Sequence, residues 1–219
     1  MGASGSGKTT VAKLLARFWD ISSGEICIGG VPITGMTQEH LLSKISMVFQ
    51  DVYLFKDTIA ENIRLGKPDA SDEEIIAAAK AAACHDFIMA LPDGYETMVG
   101  EGGSTLSGGE KQRISIARAI LSDAPIVFLD EATASLDPEN EVLIQRAIDE
   151  LVKNKTVLVI AHRLQSVMNA DEIIVLDDGR IAEHGTHPEL LKQGGRYAAL
   201  WENQQRAGNW MLAYHNRST

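Results

Sequence analysis

The chain has 219 residues and a formal net charge of −10. That length suffices for one domain with a substantial core, and the acidic balance weighs against a nucleic-acid-binding face. No apolar run approaches the roughly 18–20 residues that span a bilayer, and the glycine-rich start does not read as a secretory leader.

The first element is a loop, Gly2-Ala3-Ser4-Gly5-Ser6-Gly7-Lys8-Thr9, matching G-x-x-x-x-G-K-[ST] in full. Behind it Val11, Leu14, Leu15 and Phe18 recur at helical spacing, predicting an amphipathic helix packed on a core. Glycines let backbone N–H groups converge on phosphate oxygens, and the helix dipole adds a favourable field. Gly2, Ser4, Gly5, Ser6, Gly7, Lys8, Thr9 and Thr10 are therefore the candidate phosphate-binding residues. Lys8 is placed to reach the β- and γ-phosphates, and the Thr9 hydroxyl to hold Mg²⁺. The opening residues also fit the N-myristoylation pattern, but the phosphate loop explains more of them.

Cys27 falls in a strand-like stretch. Ile45 to Phe49 then reads as a strand ending at Gln50. From 52 to 121 the pattern is mostly helical, predicting a lobe inserted into an α/β core. Within it, Thr58 to Arg64 is a short helix, and Ser71 with Glu74 forms a capping box opening an alanine-rich helix that ends near Cys84. Both cysteines read as small buried hydrophobes, unclustered as in a reducing compartment. The loose stretch Leu91 to Tyr95 and the glycine-rich Gly100-Glu101-Gly102-Gly103 follow. Ser107 and Glu110 make a second capping box, before an apolar face of Ile114, Ala117, Ile120 and Leu121.

Ile126 to Leu129, ending at Asp130-Glu131, and Val157 to Ala161, ending at His162, read as parallel strands covered on both faces. A helix of about 139–152 separates them, giving a βαβ unit. Ligands in open α/β sheets bind beyond the C-terminal ends of the strands, so Gln50, Asp130, Glu131 and His162 are expected to converge on one site. Further on, Ile173 to Leu176, Asp178-Gly179 and about Arg180 to His184 read as a β-hairpin. Helices near His187 to Lys192 and Arg196 to Arg206 close the fold. The tail from Gly208, with Trp210, Met211, Leu212 and Tyr214, packs on a partner or frays.

The order of motifs resembles the nucleotide-binding domain of ATP-binding cassette (ABC) transporters, from Gly2 to about Arg206. It comprises a Walker A loop (Gly2 to Thr9), a Q-loop glutamine (Gln50), the LSGGE signature (Leu106 to Glu110), a Walker B strand with adjacent glutamate (Ile126 to Glu131), a D-loop (Ser135-Leu136-Asp137) and a switch histidine (His162). The resemblance implies a P-loop NTPase with a RecA-like, mostly parallel sheet: core from 1–51 and 122–206, helical signature lobe from 52–121, tail from 207–219. It implies ATP and Mg²⁺ as ligands. It also implies a second nucleotide-binding domain, identical or not, whose ATP meets Ser107, Gly108, Gly109, Glu110 and Asp137 of this one.

The same resemblance assigns roles. Lys8 neutralises charge, Thr9, Gln50 and Asp130 hold Mg²⁺, Glu131 is the general base or water orienter, and His162 contacts the γ-phosphate. Val52 to Phe55 with Thr58 to Ile63 resembles the exporter segment that receives a coupling helix of the membrane domain. Tyr53 and Phe55 are then its lining and Glu101 a further contact; lobe core is the plainer reading for the two aromatics. Many members carry a bulkier or charged residue where Gly102 stands.

The expected function is an ATPase powering export across a membrane, at the cytoplasmic face of the plasma or inner membrane, peripheral or within a membrane-spanning polypeptide. The rival readings are a DNA-repair or chromosome-type ATPase, which lacks support in the short interval between the Walker motifs, and an inactive fragment. In the family several strands precede the loop, including an adenine-stacking aromatic. None stands before Gly2, so the natural protein is expected to start upstream, with its N-terminal antiparallel β-subdomain largely outside this sequence.

Overall fold

The computed structural model describes residues 1–3, 5–130, 138–161 and 164–215, with side-chain detail for all of these but 138–139 and 207–215. Two compact units emerge, Leu14–Val159 and Met1–Lys13 with Ile160–Thr219.

The larger unit is organised by one helix, α6 in chain order. The elements leading to it are the end of α1 (Lys8–Leu15), a two-residue hairpin β1 (Cys27–Ile28) and β2 (Val31–Pro32), α2 (Gln38–Leu42), β3 (Ile45–Val48), α3 (Ile59–Arg64), α4 (Asp72–Ala81) and α5 (His85–Met89). Then come α6 itself (Gly108–Ser122), β4 (Ile126–Asp130), α7 (Pro138–Leu151) and β5 (Thr156–Ile160). Nine residues of α6 are buried, and it packs against α3, α4, α7 and β3. Ile114, Ile116 and Ala117 sit in a continuous core with Ile59, Ile63, Ile75, Ile88, Val127 and Ile144. Burying a large aliphatic side chain is worth about 1.5–3 kcal/mol, so this face holds the lobe together. A hydroxyl pair, Ser46 Oγ to Ser122 Oγ at 2.5 Å, ties β3 to the end of α6.

Both predicted capping boxes form. Ser71 Oγ accepts from the Glu74 N–H and Glu74 returns a bond to the Ser71 N–H; Ser107 and Glu110 do the same. β3 pairs with β4 in parallel, with Val48 opposite Leu129. The sheet order is β3-β4-β5.

Three expectations need correction. β5 is not covered on both faces: Thr156 and Val157 are exposed at its start, while Ile160 is buried at its end. The helix after the loop does not bury its apolar stripe, since Val11 and Phe18 are exposed. α1 ends at Leu15 and Arg17 adopts a positive φ of 54°, so the chain turns before Phe18 can align with the stripe. Cys27 is exposed, its strand being only two residues long, whereas Cys84 is fully buried in the lobe core.

The smaller unit is built on the hairpin β6 (Ile173–Asp177) and β7 (Arg180–Gly185), followed by α8 (His187–Gln193) and α9 (Arg196–His215). Asp178 and Gly179 both take positive φ, 46° and 73°, as a type I′ turn requires. α9 continues to His215, beyond the expected end near Arg206. Tyr197 is fully buried and its hydroxyl meets His187 Nδ1 at 2.6 Å, joining α9 to α8. Glu183 of β7 accepts from the Arg196 and Tyr197 N–H groups, capping α9 from the hairpin. No described helix is long and apolar enough to cross a membrane.

Candidate nucleotide site

In the smaller unit the loop at residues 2–8 lies against β6. The Met1 nitrogen donates to Ile174 O at 2.7 Å, and Met1 O accepts from Leu176 N at 2.7 Å. These are the two bonds one residue of a parallel strand makes with its neighbour. Gly2 follows with φ 149°, and a Cβ there would stand 2.3 Å from Leu176 O and 2.5 Å from Ser6 Oγ. Only glycine fits. Gly5 and Gly7 also take positive φ, 80° and 98°, and Gly179 at the hairpin tip donates to Ser6 O at 3.2 Å.

Lys8 opens α1 and is buried. Its Nζ donates to Gly2 O at 2.9 Å and Ala3 O at 2.8 Å, which uses two of its three N–H donors. Ser6 Oγ is buried without a hydrogen-bond partner among the described residues. A buried hydroxyl left unpaired costs about 1–3 kcal/mol. A phosphate oxygen supplies the acceptor it lacks, so the loop fits a phosphorylated ligand. Thr9 and Thr10 are exposed on the first turn of α1. Ser4 lies outside the described residues.

In the larger unit the parallel pairing of β3 with β4 sets Gln50 and Asp130 at the same end of two adjacent strands. Asp130 is the half-buried last residue of β4, and Gln50 is exposed two residues past β3. Gln112 of α6 donates to Phe49 O at 3.4 Å, fixing the backbone just before Gln50. Glu131, Asp137 and His162 lie outside the described residues. Among those described, no cluster of three or more His, Cys, Asp or Glu could hold a metal. Asp130 and Gln50 offer carboxylate and amide oxygens, the hard donors that suit Mg²⁺.

The signature forms the N-terminus of α6. Ser107 and Gly108 are exposed, and the Ser107 oxygen already accepts the Glu110 N–H, so its O–H remains as a donor. Gly109 is buried against α7, where a Cβ would stand 2.6 Å from Asn140 Cγ. Arg113 Nη1 donates to Asn140 Oδ1 at 2.5 Å and its guanidinium lies over the Phe87 ring. Helical spacing alone gave no sign of this Gly109–Asn140–Arg113 contact.

Tyr53 and Phe55 are exposed, 52% and 54%, with their rings edge to face at 5.3 Å. They are not lobe core, the plainer expectation. Leu54 O accepts the Gly102 N–H at 3.0 Å, which holds the segment carrying exposed Glu101 beside them. Asn62 of α3 supports both sides of Phe55: its Oδ1 accepts from Phe55 N at 2.8 Å and its Nδ2 donates to Phe55 O at 2.9 Å. Arg118 of α6 donates to Asn62 O at 2.8 Å. Sequence reading missed this network; Asn62 is fully buried, and a buried amide must be paired.

A glycine-rich phosphate loop, a parallel β3–β4 pair and a capped LSGGE helix define a nucleotide-binding ATPase domain. The chain belongs to the ABC transporter family, whose model matches residues 1–134, and its fold is that of an exporter-type ATPase domain. It is 55% identical to an ATP-dependent lipid A-core flippase of Legionella pneumophila (strain Paris), over 94% of this chain and 35% of that protein. A mycobactin import ATP-binding/permease protein, IrtA, of Mycolicibacterium smegmatis is 54% identical over 94% of this chain and 24% of its own length. Among solved structures, a bacterial Atm1-family ABC exporter with ATP bound matches with TM-score 0.86 and 48% identity, over 93% of this chain and 36% of that one. The chain thus spans about a third or less of these relatives. They favour the transport reading over a DNA-repair ATPase.

Proposed function

We propose that this domain binds and hydrolyses MgATP, and that this drives export of a substrate by a membrane-spanning transporter. The carrying observation is the phosphate loop: three positive-φ glycines, a buried Lys8 and the Ser6 hydroxyl, unpaired among the described residues. Lys8, with one N–H still to give among the described residues, and the loop N–H groups from Gly2 to Thr10 take the ATP phosphates. Phosphoryl transfer needs mainly positioning and charge neutralisation, which these groups provide. Thr9, Asp130 and Gln50 are the ligands for Mg²⁺, which when bound neutralises phosphate charge. Glu131 orients or deprotonates the attacking water. His162 holds the γ-phosphate and the water in line. No covalent protein intermediate is required.

Ser107, Gly108, Gly109, Glu110 and Asp137 serve the ATP of a second nucleotide-binding domain. The free Ser107 O–H and the exposed helix start are suited to an anion. Tyr53, Phe55 and Glu101 receive the coupling helices of a transmembrane domain, an assignment supported by the exposed aromatic pair and the Leu54–Gly102 bond that keeps Glu101 near it. The domain then lies at the cytoplasmic face of the plasma or inner membrane. The IrtA name shows that close relatives include an importer, so transport direction is measured rather than assumed. The test is phosphate release by the full-length protein in Mg²⁺ and ATP, with substrate followed in inverted vesicles. Release with uptake into the vesicles is expected; absence of ATP turnover overturns the reading.

A further inference from the structure

We propose that Gln204, on α9, is a positioning residue for hydrolysis, acting on the backbone that follows His162. The inference rests on the catalytic role proposed above for His162. Gln204 Oε1 accepts the Leu164 N–H at 3.0 Å, across 40 residues of sequence. Leu164 is fully buried, opens a short 3₁₀ turn over Leu164–Val167, and stands two residues after His162. The turn's first N–H has no partner within the turn, so an outside acceptor fixes where it starts.

The other end of α9 is anchored to the phosphate loop's own support. Arg196 Nη1 pairs with Asp177 Oδ1 at 2.6 Å, and Glu183 caps the helix through the Arg196 and Tyr197 N–H groups. Asp177 ends the strand that runs into the hairpin tip, where Gly179 donates to Ser6 O. Eight residues separate Arg196 from Gln204, about 12 Å along a helix. α9 is therefore a strut between the hairpin that contacts the phosphate loop and the Leu164–Val167 turn. Gln204 is its contact at the far end.

The role requires an acceptor, not bulk. In the full-length protein Gln204→Met removes the acceptor at similar size, and Gln204→Glu retains it. Gln204→Met is expected to lower kcat about two- to tenfold, the worth of one such hydrogen bond, with ATP affinity and Tm unchanged. Gln204→Glu is expected to keep most of the wild-type kcat. Equal kcat in Gln204→Met and wild type, equal losses in both variants, or a fall in Tm matching the loss overturns the proposal. His162→Ala is measured alongside. If it leaves kcat intact, the role of His162 fails and this inference with it. If it abolishes turnover while Gln204→Met does not alter it, only the role of Gln204 fails.

Discussion

Gly2 packs against Leu176 so closely that a Cβ would lie 2.3 Å from the Leu176 carbonyl oxygen. Backbone cannot yield as a flexible side chain can, and φ at Gly2 is 149°. Gly2→Ala is expected to destabilise the folded protein by about 1–3 kcal/mol and to weaken ATP binding by displacing the loop that Lys8 grips. Chemical denaturation and an ATP titration check this. Unchanged stability would mean the loop and β6 separate freely.

Asn62 bridges Phe55 and Arg118 from inside the helical lobe. Asn62→Ala strips partners from the Phe55 N–H and C=O and removes the 3.3 Å bond from Arg118 Nη2, while the Arg118 Nε bond to the Asn62 backbone oxygen remains. A loss of about 2–4 kcal/mol is expected, since each buried orphan costs about 1–3 kcal/mol. Hydrogen exchange reads it locally: the Phe55 and Gly102 amides exchange faster, while the Ile174 and Leu176 amides do not.

The two cysteines differ chemically. Burial pushes the Cys84 thiol up to about 12, and the nearby Arg113 charge only partly offsets this. Cys27 is exposed. Iodoacetamide at pH 8 is expected to modify Cys27 and spare Cys84 until the protein is denatured, as peptide mapping reveals. The folded pKa of Cys84 lies above its unfolded value, so its contribution to stability is complete below about pH 9 and declines as pH rises toward 12. Tyr95, also raised to about 12 by burial, adds to the same decline. A stability curve flat from pH 9 to 12 contradicts this.

Much of the site could be read in the sequence because its chemistry is local. The Lys8 bonds within the loop octet, the two capping boxes and the Asp178-Gly179 turn each depend on residues within a few positions of one another. Their hydrogen bonds follow from identity and spacing. Burial of Cys27, Val11, Phe18 and Val157 depends on which element lies over them. An alternating or continuous apolar pattern reports a tendency to bury and names no covering element, which is why the start of β5 and the end of α1 differ from expectation. The Asn62–Arg118, Gly109–Asn140 and Gln204–Leu164 contacts span long stretches of chain, and nothing in the local pattern marks them.

The central claim, that residues 2–9 bind ATP and Glu131 drives its hydrolysis, is tested most directly by one paired measurement. ATP affinity and turnover are compared in full-length wild type, Lys8→Ala and Glu131→Gln. Lys8→Ala is expected to bind ATP more weakly, because a buried cation is withdrawn from the phosphates. Glu131→Gln is expected to bind ATP as wild type does and to turn over orders of magnitude more slowly. Wild-type turnover in Glu131→Gln, or undiminished ATP affinity in Lys8→Ala, would contradict the account.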